Sequence, residues 1–328
     1  MAFPTLGTNW KKTSKMKLTI GTRGSALALW QARHVSARIL ELCPDASIDM
    51  VIIKTQGDKI LDAPLSKIGG KGLFTKEIED ALLDGAVDLA VHSMKDVPTE
   101  LPKGLHIAAI LEREDPRDVF ISGEGTRLDD LPPGSLIGTS SLRRRAFLLG
   151  KYPDLEIVSI RGNVDTRIRK IESENLAGAM LAAAGVIRMG FSNRITTFMS
   201  LETMLPAIGQ GAIGIETRMD DDHTNQVVKL LNHDPTSLCV RVERAFLSRM
   251  GGGCQVPMAA HCMLENDTIN FRAAVAHPDG HPIITETYRG DNKSPLVGIT
   301  IADRLVEMGA KAILKDVLGQ DWEPATSN

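Results

Sequence analysis

Three things are missing from this 328-residue chain. It has no apolar run near the roughly 20 residues that a bilayer-spanning helix requires. The longest apolar stretch, residues 176–187, is diluted by glycine and alanine and reads as a buried strand followed by a turn. It also has no secretory leader, and its four cysteines (Cys43, Cys239, Cys254, Cys262) therefore point to a reducing, cytoplasmic setting with free thiols and no disulfides. Finally, it has no excess of positive charge: a net charge of −3 argues against a general nucleic-acid binder. Residues 1–16 carry three lysines and no acid but show no amphipathic periodicity, so a disordered extension is expected there.

The 43% hydrophobic content and the length fit a globular protein of two or three domains. Charge is distributed unevenly. Between Gly138 and Lys170 stand eight basic residues against three acidic ones.

An unusual local pattern lies near the C-terminus, where Gly251-Gly252-Gly253 delivers Cys254 after a helix opened by Asp234 and Pro235. Val242, Phe246 and Met250 mark the buried face of that helix. A single glycine can cap a helix. Two more suggest backbone that must bend, or close approach by something bulky. Cys254 is then either a small buried apolar residue or a nucleophile or attachment point. A zinc site built on Cys254, His261 and Cys262 lacks a standard spacing and a fourth ligand. Cys239 and Cys262 read as core residues, and Cys43 as a helix-end residue.

Toward the N-terminus, Lys17 to Gly21 reads as a strand. Ala28, Ala32, Val35, Ile39 and Leu42 follow at helical spacing. The junction Gly21-Thr22-Arg23-Gly24-Ser25 places a helix N-terminus beside an arginine, an arrangement that holds anions. Residues 48–53 read as a second buried strand. Residues 55–75 form a Gly- and Lys-rich excursion containing Lys71 and Phe74, which fits a mobile lid. A third strand over residues 87–92 ends in Ser93-Met94-Lys95-Asp96, placing a carboxylate at a strand's carboxyl end, where ligands of open α/β sheets gather.

The plan then repeats. Leu136-Ile137-Gly138-Thr139-Ser140-Ser141 echoes the first strand and turn, with Arg143, Arg144 and Arg145 behind it. Further strands are expected over 155–160 and 176–184, with a helix carrying Arg167 between them. Residues 112–118 and 205–212 read as two crossings forming a hinge. Beyond Asp234, alternating segments separated by Asn266-Asp267 and Pro278-Asp279-Gly280 suggest a small antiparallel sheet covered by a helix over 296–308.

These stretches together resemble the porphobilinogen deaminase (hydroxymethylbilane synthase) family. The likeness rests on Gly21 to Ala28, Gly69 to Phe74, His92 to Pro98, Gly138 to Arg144, Arg161 to Val164, Gly209 to Ala212 and the Cys254 loop. The resemblance implies an α/β fold of three domains, two of them like periplasmic-binding-protein lobes with mixed, mainly parallel sheets. The third is a small α+β domain with an antiparallel sheet. The expected boundaries are 17–113 with 212–230 for the first domain, 117–206 for the second and 234–322 for the third, with 1–16 and 323–328 disordered.

It also implies an enzyme of haem biosynthesis, a transferase that joins four porphobilinogen molecules head to tail with release of ammonia. The chain grows on a dipyrromethane cofactor bound through a thioether to Cys254. Asp96 is implied as the catalytic carboxylate. Ser93, Lys95, Thr139, Ser140, Ser141, Arg143 and Arg144 are implied around the cofactor. Arg23, Ser25, Arg161, Arg167 and Arg188 are implied around the substrate's carboxylates, and Lys71 and Phe74 on the lid. A monomer is implied, acting on a small molecule and using neither metal, membrane nor nucleic acid. The reading from a different class is a two-lobed, non-catalytic binder of a carboxylate ligand.

Overall fold

A computed structural model of the chain describes residues 16–59, 72–252 and 256–325. It opens with β1 (Lys17–Thr22), α1 (Ala26–Leu42), β2 (Ser47–Ile52), the short α2 (Gln56–Lys59), α3 (Lys76–Leu83), β3 (Leu89–Ser93) and β4 (Leu105–Ile110). The chain then crosses to β5 (Asp118–Ser122), β6 (Leu136–Gly138), α4 (Leu142–Lys151), β7 (Glu156–Val158), α5 (Val164–Ser173), β8 (Gly178–Ala182), α6 (Ala183–Arg188) and β9 (Thr197–Phe198). It returns through β10 (Ile213–Arg218) and α7 (Asp222–Lys229).

Two five-stranded sheets result, ordered β2-β1-β3-β10-β4 and β7-β6-β8-β5-β9. In each, the first three strands are parallel and the fourth runs antiparallel between its neighbours. The repeat in the sequence is thus a repeat of topology, with the carboxyl ends of the parallel strands carrying the loops of interest. The lobes touch where the Arg188 guanidinium of α6 lies 5.6 Å from the centre of the Trp30 ring on α1.

The remainder is α8 (Asp234–Arg249), then β11 (Met258–Glu265), β12 (Thr268–Ala276) and β13 (Ile283–Gly290) in an antiparallel sheet, then α9 (Leu296–Leu305) and α10 (Lys311–Leu318). Asn266 and Asp267 both adopt positive φ, as the tight turn between β11 and β12 demands. Val242, Phe246 and Met250 are buried in this domain's core with Cys239 and Cys262. Cys43 caps the end of α1.

Several expectations are corrected. β2 is an exposed edge strand instead of a buried one: it pairs only with β1, and Val51 and Ile52 remain 41% and 56% exposed. The strand expected to reach Ala184 stops at Ala182, where Ala183–Arg188 turns helical. His233, not Asp234, caps α8 through its ring nitrogen, and Pro235 sits in the first turn. The covering helix runs as α9 into a π-helical turn, and beyond Gly309 at φ 109° a further helix, α10, follows. The Ala325 N–H donates to the Arg249 carbonyl at 3.0 Å, and residues 326–328 of the expected tail lie outside the described residues. Among the described residues, no helix is long and apolar enough to cross a membrane.

Candidate active site

The site begins with β3, which is buried between β1 and β10. Met94, Lys95 and Asp96 then form one turn of 3-10 helix. Met94 is the anchor. Its side chain is buried, and its N–H donates to the Ala212 carbonyl at 3.0 Å. With Met94 turned into the core, Asp96 is left exposed at the strand's carboxyl end. A pocket of about 60 Å³ opens there, lined by Arg23, Ser25, Phe74, His92, Ser93 and Asp96 among others. Beneath it, the buried His92 Nε2 lies 2.9 Å from a carboxylate oxygen of Glu216 on β10.

Arg23 sits at the β1–α1 junction. Its guanidinium donates to Asp58 through Nε at 3.2 Å and Nη2 at 2.5 Å, and it stacks over Phe74 at 4.2 Å. Asp58 is itself oriented by the Thr55 hydroxyl at 2.8 Å. Burial opposes its ionisation, but hydrogen bonds from Arg23 and Thr55 hold its pKa below the usual value. The Ser25 hydroxyl accepts from the Ala28 N–H and caps α1, whereas the Ser93 hydroxyl accepts from Gln31 at 2.8 Å.

From the second lobe, β6 delivers Thr139, Ser140 and Ser141. Thr139 Oγ1 accepts from the Ser141 N–H, Ser140 Oγ donates to the Ile160 carbonyl at 2.6 Å, and Ser141 caps α4. Arg143 and Arg144 are buried. Both pair with Asp118, at 2.7 and 2.8 Å; Nη1 of Arg143 also donates to the Leu205 carbonyl, and Nη1 of Arg144 to the Met180 carbonyl. Burial works against ionisation of Asp118, but the two guanidiniums outweigh it and hold its carboxyl far below the normal range.

Arg167 faces the Asp96 side. Burial, with Arg144 and Arg161 nearby, pushes its pKa down to about 10, while Asp96 pulls it back up. Lys95 is lowered by burial first and by Arg144 and Arg143, against Asp96 and Asp118. Asp96 thus acts on both Lys95 and Arg167. Arg188 donates to the Gly211 carbonyl at 2.7 Å in the return crossing, and burial lowers its pKa to about 10. Arginines at such values stay charged at neutral pH.

Several organising residues have partners that the sequence does not reveal. Gln210 donates to the Pro116 carbonyl and to Asp118, and its own carbonyl accepts from Arg113. Arg113 in turn meets Glu243 of α8 at 2.6 and 3.1 Å. Glu243 also accepts from the Gly209 and Cys262 N–H groups, so one buried carboxylate binds both crossings to the third domain. Arg244, the next residue, donates to the carbonyls of Val97 and Pro98 just past Asp96. Their partners lie far off in the sequence, so no local pattern betrays them.

Cys254 and Lys71 lie outside the described residues. Gly252 does not, and a Cβ built on it would stand 3.0 Å from Thr99 Oγ1. Gly252, just past α8, therefore lies against the segment that follows Asp96. His261 is buried, which with Arg113 pushes its pKa down to about 4. No group of three metal-binding side chains gathers among the described residues.

Comparison with known proteins matches residues 18–226 to the model of the porphobilinogen deaminase dipyromethane cofactor binding domain, and residues 237–307 to the porphobilinogen deaminase C-terminal domain. A curated porphobilinogen deaminase from Pelotomaculum thermopropionicum is 51% identical over 302 residues, covering 92% of this chain and 97% of the relative. One from Geobacter metallireducens is also 51% identical, covering 92% and 95%. Among solved structures, a TRAP periplasmic solute binding protein from Desulfovibrio salexigens is 10% identical with a TM-score of 0.41, covering 68% of this chain and 74% of its own.

Proposed function

The chain belongs to the porphobilinogen deaminase family, and we infer from that premise that its cleft condenses four porphobilinogen molecules head to tail, releasing ammonia at each step. The observation that carries the assignment of roles is the position of Asp96, exposed at the end of β3 and close enough to Lys95 and Arg167 to act on the charge of both.

Asp96 is the catalytic carboxylate. As the aminomethyl group of porphobilinogen loses ammonia, positive charge develops on the pyrrole nitrogen. A carboxylate accepting that N–H stabilises the charge and can take up or return the proton of the departing amine. Arg23, Arg161, Arg167 and Arg188 serve the acetate and propionate groups, with Ser25 supporting them. A charge-assisted hydrogen bond contributes about 1.5–3 kcal/mol, and the planar guanidinium can grip a carboxylate with two bonds. Phe74, stacked on Arg23, borders the site and is assigned, with Lys71, to its lid.

The family's dipyrromethane fits this cleft. When bound, it would supply the free pyrrole α-carbon to which the first ring is joined, each later ring being joined to the one added before it. Cys254 would hold it, and Ser93, Lys95, Thr139, Ser140, Ser141, Arg143 and Arg144 would surround it. The fit rests on the cations gathered around Asp96 and on Gly252 lying against Thr99. Because Asp118 pairs with both Arg143 and Arg144, the trio presents a net single positive charge to the cofactor instead of two free ones.

We further place the protein in the cytoplasm as a monomer, divided at residues 17–113 with 212–230, 117–206 and 234–322. A non-catalytic carboxylate binder is set aside by membership of an enzyme family. The test is intact mass with porphobilinogen consumption. Purified protein should exceed its sequence mass by one dipyrromethane, and Cys254→Ser should lose both the adduct and turnover. Unmodified wild-type protein that leaves porphobilinogen untouched would sink the assignment.

A further inference from the structure

A second concavity, of about 310 Å³, lies between β4 and the start of α8 and shares no lining residue with the pocket at Asp96. Its floor is apolar, with Met94, Ile107 and Ile110. Its rim carries Lys229, Arg241 and Arg244 against a single acid, Asp234, which accepts a hydrogen bond from Asn232 at 2.6 Å. Lys229 and Arg241 are exposed, and among the described residues neither is paired with an acid. A pocket of this size with an apolar floor and a few convergent cations is built like a small-molecule site. Its charge selects an anion, and its floor selects an apolar body.

We propose that this concavity is a binding site for a compact apolar anion, a ring system bearing a carboxylate or sulfonate, and that its occupant is felt at Asp96. Two contacts provide the link. Met94 lines the floor and immediately precedes Lys95 and Asp96 in the 3-10 turn. Arg244 lines the rim, and its guanidinium holds the Val97 and Pro98 carbonyls at 3.0 and 2.5 Å. An anion beside Arg244 competes with those carbonyls for its donors, so occupancy loosens the chain on the far side of Asp96. An apolar body on the floor presses on Met94 at the near side. The two ends of the catalytic turn are thereby addressed by one ligand.

The binding claim stands on the concavity alone, whereas the link to Asp96 rests on the activity proposed above. The probe is 8-anilinonaphthalene-1-sulfonate, titrated by fluorescence into the cofactor-bearing enzyme. Saturable binding at one site is expected, weakened about tenfold or more in Lys229→Glu/Arg241→Glu. These are exposed positions outside the catalytic machinery, so basal turnover should hold. Ser237→Phe, which fills the cleft without altering charge, should also abolish binding. Porphobilinogen turnover should fall as wild type saturates and stay constant in the charge-reversed variant. Binding that survives both variants overturns the site, and saturated enzyme with unchanged turnover overturns the link. A protein that binds the probe but never consumes porphobilinogen would count against the activity and leave the site standing.

Discussion

Arg113 and Glu243 meet in a two-point ion pair, at 2.6 and 3.1 Å, across the junction of the first crossing and α8. Glu243 is completely buried, and its oxygens also take the N–H groups of Gly209 and Cys262. Removing one partner of a buried pair leaves an uncompensated charge, at a cost of about 3–5 kcal/mol. Glu243→Gln should therefore lower the urea midpoint substantially. If the midpoint stays within error of wild type, the hub does not hold the three domains together as described.

Asp96→Asn keeps the size of the side chain and removes its charge. Turnover should fall by about a hundredfold or more, the scale of positioned acid–base groups, while KM changes little. Steady-state kinetics on protein loaded with the cofactor decides the matter. A large rise in KM with unaltered kcat would make Asp96 a binding group instead.

Arg23 holds Asp58 with its fork and Phe74 with its face. Lysine can reproduce neither arrangement. Arg23→Lys should raise KM for porphobilinogen by about tenfold or more. A change confined to kcat would remove Arg23 from carboxylate recognition.

Asp118 titrates far below the usual carboxylate range because Arg143 and Arg144 outweigh the effect of its burial. A carboxyl group whose pKa is depressed on folding contributes stability that is fully present above the unfolded value, near 4, and is lost as pH falls toward the folded one. Wild type should thus lose stability below about pH 4 along a slope that Asp118→Asn lacks, and the variant should be less stable at neutral pH. Denaturation midpoints across pH 3–7 would show it. Parallel curves for the two proteins would refute the linkage.

Gly252 has φ +40° and lies against Thr99. A β-branched residue resists that backbone conformation, and its Cβ would crowd Thr99. Gly252→Val should reduce cofactor loading, read as the fraction of intact protein carrying the added mass, with little loss of thermal stability. Full loading and wild-type turnover would mean that the loop has no need of this freedom.

The elements that local chemistry dictates could be read from the sequence. The strand and turn at Gly21, its echo at Gly138, and the meander turned by Asn266-Asp267 all carry their signal within a few residues. Asp96 was legible for the same reason, as a carboxylate at a strand end. The exposure of β2 was not, because Val51 and Ile52 are as apolar as any buried strand and only the sheet order leaves them at an edge. Nor could Asp118 be seen as the partner of Arg143 and Arg144, or Glu243 as the junction of three domains. Such pairings link residues distant along the chain, and periodicity says nothing about them. Arginines that looked like free cations are consequently part of the scaffold as well as of the cleft.

The fourth strand of the first sheet is β10, which comes from beyond the whole second lobe. During synthesis β3 and β4 emerge early but have no neighbour on their inner edges until residues 213–218 leave the ribosome. Open strand edges invite pairing with other chains. The second lobe, whose strands β5 to β9 are contiguous in the chain, is free to close its own sheet in the interval. The sheet that is begun first therefore cannot be closed until the whole second lobe has been made, and the aspartate it carries is framed only then.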